Sequence, residues 1–166
     1  MKKIILTAAA VFAFSFANAQ DGGFKLGAHL GLPMGDFKDA YSLNIGADVA
    51  YVWNISDKFD AGVATGYTTY LGKTIDTGEG SYKVPSAGFI PVAATGQYAI
   101  ADNLFLGADL GYAVYAGSED GAKGGVLYQP KFGYKAEKLE VYLGYKGISV
   151  DGGTISSVNI GVNYKL

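Results

Sequence analysis

Eight stretches of this chain alternate with a period of two, and in each of them one set of alternate positions carries no charge. The stretches are Phe24 to Leu32, Leu43 to Trp53, Phe59 to Leu71, Ile90 to Ile100, Leu104 to Val114, Val126 to Tyr134, Leu139 to Tyr145 and Val158 to Leu166. One such set reads Leu104, Leu106, Ala108, Leu110, Tyr112, Val114. Successive side chains of a strand point to opposite faces of its sheet. The chain is therefore built for a sheet with one apolar face along every strand. The intervening positions are small and polar. They hold ten glycines, together with Lys25, His29, Asp48, Asp60, Asp109, Lys131, Lys146, Glu140 and Lys165. Lys135 falls on the same face just past the sixth stretch.

The connections alternate in length. Asn54 to Lys58, Ala101 to Asn103 and Glu137-Lys138 are hairpin-length turns. Pro33 to Ser42, Gly72 to Ser86, Ala116 to Gly125 and Lys146 to Ser157 are longer and rich in Gly, Asp, Ser and Thr, as exposed loops are. Long connections come first and last, so both ends of the chain fall on the short-turn side and the strand number is even. Strands of about 9 to 11 residues have the length that a tilted strand needs to cross a bilayer.

The first residues read as an export signal. Lys2 and Lys3 precede an apolar run from Ile4 to Phe16, and Ala17-Asn18-Ala19 has the form of a cleavage site. Residues 1–19 are expected to be a cleaved signal peptide and residues 20–166 a single barrel domain. There is no cysteine, so disulfides and thiol chemistry are excluded, and a net charge of −2 argues against a nucleic-acid partner. The 25 glycines among 166 residues are about double the usual share near 7%.

A soluble eight-stranded barrel would show the same alternation with its faces exchanged. Aromatic placement favours the apolar face outside. Phe24, Tyr51, Trp53, Phe59, Tyr98, Tyr134 and Tyr164 lie at the short-turn level of the apolar stripes, and Tyr67, Tyr112, Tyr128 and Tyr145 at the other. Two aromatic levels on one face are the girdles of a transmembrane barrel. The expected fold is an all-β, eight-stranded, antiparallel, up-and-down transmembrane β-barrel.

With its leader, its Leu104-Phe105-Leu106-Gly107-Ala108-Asp109-Leu110-Gly111-Tyr112 strand and its last strand, the chain resembles the small outer-membrane barrels of Gram-negative bacteria, the OmpA-, OmpX- and OmpW-like group. Asn159, Gly161, Tyr164 and Leu166 match the C-terminal signal read by the barrel assembly machinery, with Leu166 where many members carry Phe or Tyr. The resemblance implies the outer membrane as location, its lipid and that machinery as partners, and a monomer. It implies no particular activity, because the group holds transport, adhesion, structural and enzymatic members.

The polar stripe then faces a narrow lumen, which eight strands leave just wide enough for side chains to fill. Lys25, His29, Asp48, Asp60, Asp109, Lys131, Lys135, Glu140 and Lys146 are expected to form a lumenal polar network, with Asp48, Asp109, Lys131 and Lys146 as its plug. Lys135 and Glu140 should face each other across the Glu137-Lys138 turn. Pro91 and Pro130 each remove a ladder hydrogen bond, and a local bulge or a missing backbone bond is expected at one or both, with water or a lumen side chain serving the orphaned carbonyl. Catalysis finds little support: His29 is the only histidine, and no serine falls on the polar stripe of the eight stretches. No cofactor or metal site is expected, and the acidic tips at 77–80 and 117–121 read as solvated turns. The expected role is structural or porin-like. The alternatives are a surface ligand-binding or adhesion barrel, a lipid-modifying outer-membrane enzyme, and a soluble lipocalin-like barrel.

Overall fold

A computed structural model describes residues 22–76, 78, 80–117 and 122–166. The expected leader and parts of both acidic tips lie outside these residues. The strands are β1 (Gly22–Met34), β2 (Tyr41–Ser56), β3 (Phe59–Gly72), β4 (Thr74–Asp76), β5 (Ser81–Lys83), β6 (Ala87–Ala101), β7 (Leu104–Tyr115), β8 (Gly125–Lys135), β9 (Leu139–Val150) and β10 (Gly153–Lys165). Eight of them close into a barrel in the order β1-β10-β9-β8-β7-β6-β3-β2, and all neighbours are antiparallel. Closure of β1 on β10 leaves no sheet edge unpaired, which is what a strand surrounded by lipid requires. β4 and β5 form a separate hairpin, Ile75 opposite Tyr82, projecting from the β3–β6 connection.

The apolar stripe faces outward. Leu32, Val92, Leu110 and Leu143 are 57 to 64% exposed, whereas Lys25, His29, Glu140 and Lys146 are at most 3% exposed. This distribution excludes the soluble alternative, in which those exposures would be exchanged. The girdle rings pack edge to face, Phe24 on Tyr51 at 4.8 Å between centroids and Tyr51 on Trp53 at 5.0 Å.

One expected loop is absent. The stretch from Lys146 to Ser157 continues β9 and begins β10, and the connection is Asp151-Gly152, with Val150 facing Gly153. Asp-Gly is the preferred pair for a two-residue hairpin, and Gly152 adopts φ +96°, which a side chain would resist. Toward this turn the inward positions become apolar: Ile148 and Ile155 point inward and are 0 and 6% exposed, Val150 packs against their cluster, and Ser149 is exposed. The long β3–β6 connection likewise contains the β4–β5 hairpin, and Gly35–Phe37 forms a short 3-10 turn after β1.

The prolines interrupt one ladder each. Pro91 pairs with Ala113 of β7, but the β3–β6 ladder lapses between Thr65–Val92 and Thr68–Phe89. Pro130 pairs with Ala108, while the β8–β9 ladder lapses between Tyr128–Gly147 and Lys131–Gly144. At the first gap the Thr65 hydroxyl, on the outer face, donates to Pro91's own carbonyl at 2.8 Å.

Candidate functional site: the lumen

Strand register brings the inward side chains into layers. At the long-loop end lies an apolar layer of Tyr70, Ala87, Phe89, Ala93, Ala113, Leu127, Ile148 and Ile155, against which Phe37, Tyr41, Tyr115 and Val150 pack. Below it the lumen turns polar. The Tyr70 and Ser157 hydroxyls lie 3.1 Å apart, joining β3 to β10. Ser157 donates to the Asn44 carbonyl oxygen at 3.4 Å, and the Asn44 amide donates to the Thr68 hydroxyl at 2.8 Å. Ser157 is fully buried on the lumen face, contrary to the expectation that no serine lies there; the shift of the β10 start to Gly153 puts it there.

At mid-depth His29 stands between Asp48 and Lys146. Its Nδ1 lies 2.6 Å from Asp48 Oδ2, and its Nε2 lies 2.9 Å from Lys146 Nζ and 3.1 Å from Thr68 Oγ1. An ammonium has only donors to offer. With Lys146 charged, Nε2 is the acceptor and the ring proton sits on Nδ1, donated to Asp48. The carboxylate, imidazole and hydroxyl stand in the order of a nucleophilic triad. However, Nε2 already accepts from Lys146, and Thr68 is 1% exposed. The geometry links charges across three strands and engages both ring nitrogens of His29.

Three further couples complete the network. Lys131 donates to both Asp109 oxygens at 2.7 and 2.9 Å and lies 5.4 Å from the Tyr142 ring centroid. This couple joins the neighbouring strands β7 and β8 and does not cross the lumen. Lys25 donates to Glu140 at 2.6 Å and to the Gln97 carbonyl oxygen at 2.8 Å, and the Gln97 amide donates back to Glu140 at 3.3 Å. This three-cornered brace joins β1 and β9, which flank β10, to β6, three places away from each around the barrel. At the short-turn mouth Lys135 donates to Asp60 at 3.1 Å, again across the lumen, and Asn54 donates to Asp60 at 2.9 Å.

The expected register across the Glu137-Lys138 turn is observed: Ala136 N–H donates to the Leu139 carbonyl at 2.8 Å and Lys135 faces Glu140. The expected ionic contact between them is replaced. Lys135 reaches Asp60 on β3, and Glu140 reaches Lys25 on β1, which is far better buried than Lys135. Lys165, at the same mouth, lies along Gly23 and opposite Lys25 in the ladder. Residues that sequence reading did not single out include Gln97, Asn44, Thr68 and Ser157. They carry no charge, and their lumenal placement was the only available signal.

The glycines of the inner face make room for rings. A Cβ at Gly133 would meet the Phe105 ring, and one at Gly161 the Tyr142 ring. Gly161 and Asn159, two positions of the C-terminal signal, thus have a packing role: Asn159 is fully buried in the lumen. Tyr164 and Leu166 point outward, 46 and 64% exposed. Among the described residues no group of side chains has the composition of a metal site.

No protein-family model and no curated protein matches the chain. Solved structures do. Ail of Yersinia pestis, determined in a phospholipid bilayer nanodisc, is 14% identical, with a TM-score of 0.56 over 88% of this chain and 100% of that one. Ail has also been solved with the heparin analogue sucrose octasulfate. Neisserial surface protein A is 15% identical, with a TM-score of 0.53 over 87 and 96% of the two chains. A barrel from the de novo design of transmembrane β-barrels is 13% identical, with a TM-score of 0.54 over 89 and 98%. At such identities the likeness is one of architecture, and architecture by itself implies no activity. The chain has the fold of the small eight-stranded transmembrane barrels of outer membranes.

Proposed function

We propose that this protein is a monomeric outer-membrane barrel with a closed lumen, whose role is structural and whose outer loops are presented at the cell surface. The observation that carries this reading is the cross-lumen brace of Lys25, Gln97 and Glu140. With the Tyr70–Ser157 contact above it and Lys135–Asp60 below, it ties opposite walls together at three depths. A porin-like role needs a continuous water path, and these bonds stand where that path would run. In this reading the short-turn end is periplasmic, residues 1–19 direct export, and the assembly machinery reads the last strand.

Adhesion to polyanions, suggested by the sulfated ligand solved with Ail, suits this chain poorly. By sequence its long connections and the β9–β10 turn hold Asp36, Asp39, Asp76, Glu79, Glu119, Asp120 and Asp151 against Lys38, Lys73, Lys83 and Lys123. That excess of carboxylates repels sulfated chains. The test is planar-bilayer recording of the refolded barrel together with membrane fractionation of the expressed protein. Outer-membrane recovery with a silent bilayer supports the reading. Large, stable, ion-selective openings overturn it in favour of a channel.

A further inference from the structure

The apolar layer that closes the long-loop end of the lumen is also the floor of a cup. Its volume is about 220 Å³, and Tyr41, Phe89, Tyr115, Val150 and Ile155 line it. The floor is firm: Phe89 and Ile155 are 1 and 6% exposed. The rings run in a row, Tyr41 to Tyr70 at 5.8 Å, Tyr70 to Phe89 at 6.4 Å and Phe89 to Tyr115 at 5.6 Å between centroids. Ala122 and Lys123, just before β8, and Asp151 of the β9–β10 turn complete its lining. Two opposite charges stand at its rim. Lys123 Nζ lies 3.5 Å from Asp151 Oδ2, and the two side chains are 75 and 88% exposed.

Size restricts the occupant. An apolar cavity of roughly 150 Å³ accepts benzene, and pockets for drug-sized ligands start near 300 Å³. A cup between these limits holds one ring with a short substituent. The walls offer ring faces and aliphatic groups, so the buried part of the ligand is apolar or aromatic. The rim supplies one ammonium and one carboxylate. An exposed pair at this distance contributes little by itself, so a ligand carrying both charges can open it and satisfy each member separately.

We infer that the outer mouth of the barrel binds a zwitterionic single-ring compound, its aromatic ring seated against Tyr41 and Tyr115 above the buried Phe89 and its carboxylate and ammonium held by Lys123 and Asp151. This site is independent of whether the lumen conducts, and it goes beyond the structural role proposed above.

The experiment uses the full barrel refolded in detergent micelles and titrated with L-phenylalanine as the probe, followed by calorimetry. L-alanine, phenethylammonium and 3-phenylpropionate serve as partial ligands that lack the ring, the carboxylate or the ammonium. Saturable binding of phenylalanine, at least fivefold weaker for each partial ligand, is expected. Val150→Phe fills the cup and should weaken binding at least tenfold, with the folded state verified by its heat-modified gel mobility. Lys123→Gln combined with Asp151→Asn leaves the cup open and should remove the preference for phenylalanine over phenethylammonium and 3-phenylpropionate. Three results would overturn the inference: no saturation by phenylalanine at millimolar concentration, equal uptake by the folded Val150→Phe variant, or an alanine signal as strong as that of phenylalanine.

Discussion

Lys146 places its ammonium 2.9 Å from Nε2 of His29, whose other nitrogen lies 2.6 Å from Asp48. The lysine is 2% exposed and reaches the carboxylate's charge only through the ring. A buried charge needs a partner, and here the partner's charge is relayed by an imidazole held in one tautomer. The barrel spaces the three side chains on β1, β2 and β9, so that the ring bridges the lysine and the carboxylate.

His29→Leu should therefore cost more than the loss of a neutral hydrogen bond, because it strands both charges. The expected destabilisation is about 3 to 5 kcal/mol, the range for breaking a buried pair. Adding Asp48→Asn and Lys146→Met to His29→Leu should recover most of it. Urea unfolding in lipid vesicles, run as a mutant cycle, measures both. Equal stability of the single and triple variants would show that the relay carries no charge coupling.

The lumenal braces differ in what they should do when cut. Lys131→Ala leaves Asp109 buried without its lysine and should destabilise the barrel by about 3 to 5 kcal/mol. Its effect on conductance should be smaller than that of Gln97→Ala with Lys25→Ala, because the Lys131–Asp109 couple joins neighbouring strands and the Lys25–Gln97–Glu140 brace spans the lumen. Asp76→Ala, on the exposed β4–β5 hairpin, should change neither. Bilayer recordings of the three variants beside the wild type decide between them.

Most of the barrel was legible because lipid imposes a simple rule over a fixed height. Leu104 to Val114 shows it plainly: every outward position is apolar or aromatic, and the inward ones include Asp109 and two glycines. The rule ends where the lipid ends. In the outer halves of β9 and β10 the inward residues are Ile148 and Ile155, and polar residues stand among the outward ones. A reading that follows the uncharged stripe stops at Tyr145 and resumes at Val158, and so mistakes two paired strand ends for a loop. The Asp151-Gly152 pair was the available sign of a tight turn. The charged lumen residues were equally legible as a set, since charge is excluded from the other face. Their pairing was not. Lys135 and Glu140 are ladder neighbours, yet each bonds a residue from another strand, and that choice depends on how closure brings opposite walls together.

The outward stripe can be tested at single positions. Leu106→Arg and Val49→Arg replace side chains that are 51 and 38% exposed. In a lipid bilayer each should destabilise the barrel by about 2 to 4 kcal/mol if the residue lies near the midplane. These positions face outward, so neither change creates a cavity or crowds the lumen. The same variants should therefore lose much less in short-chain detergent, which lets an arginine reach water. A loss of equal size in both media would mean that the face is buried by protein and would contradict the outward orientation.

Gly152→Val tests the turn that replaces the expected loop. At φ +96° a β-branched residue is strained, and the hairpin between β9 and β10 has no spare residues to absorb a change of turn. The cost should exceed about 1 kcal/mol. It should fall on the long-loop mouth, because the turn anchors Val150 and Ile155 of the apolar layer, while the braces below are set by registers nearer the short-turn end. Amide hydrogen exchange separates the two. Faster exchange confined to the outer ends of β9 and β10, with protection kept around Glu140 and Asn163, is the expected result. Uniform loss of protection through both strands would show that the barrel closes as one cooperative unit and that the outer layer has no stability of its own.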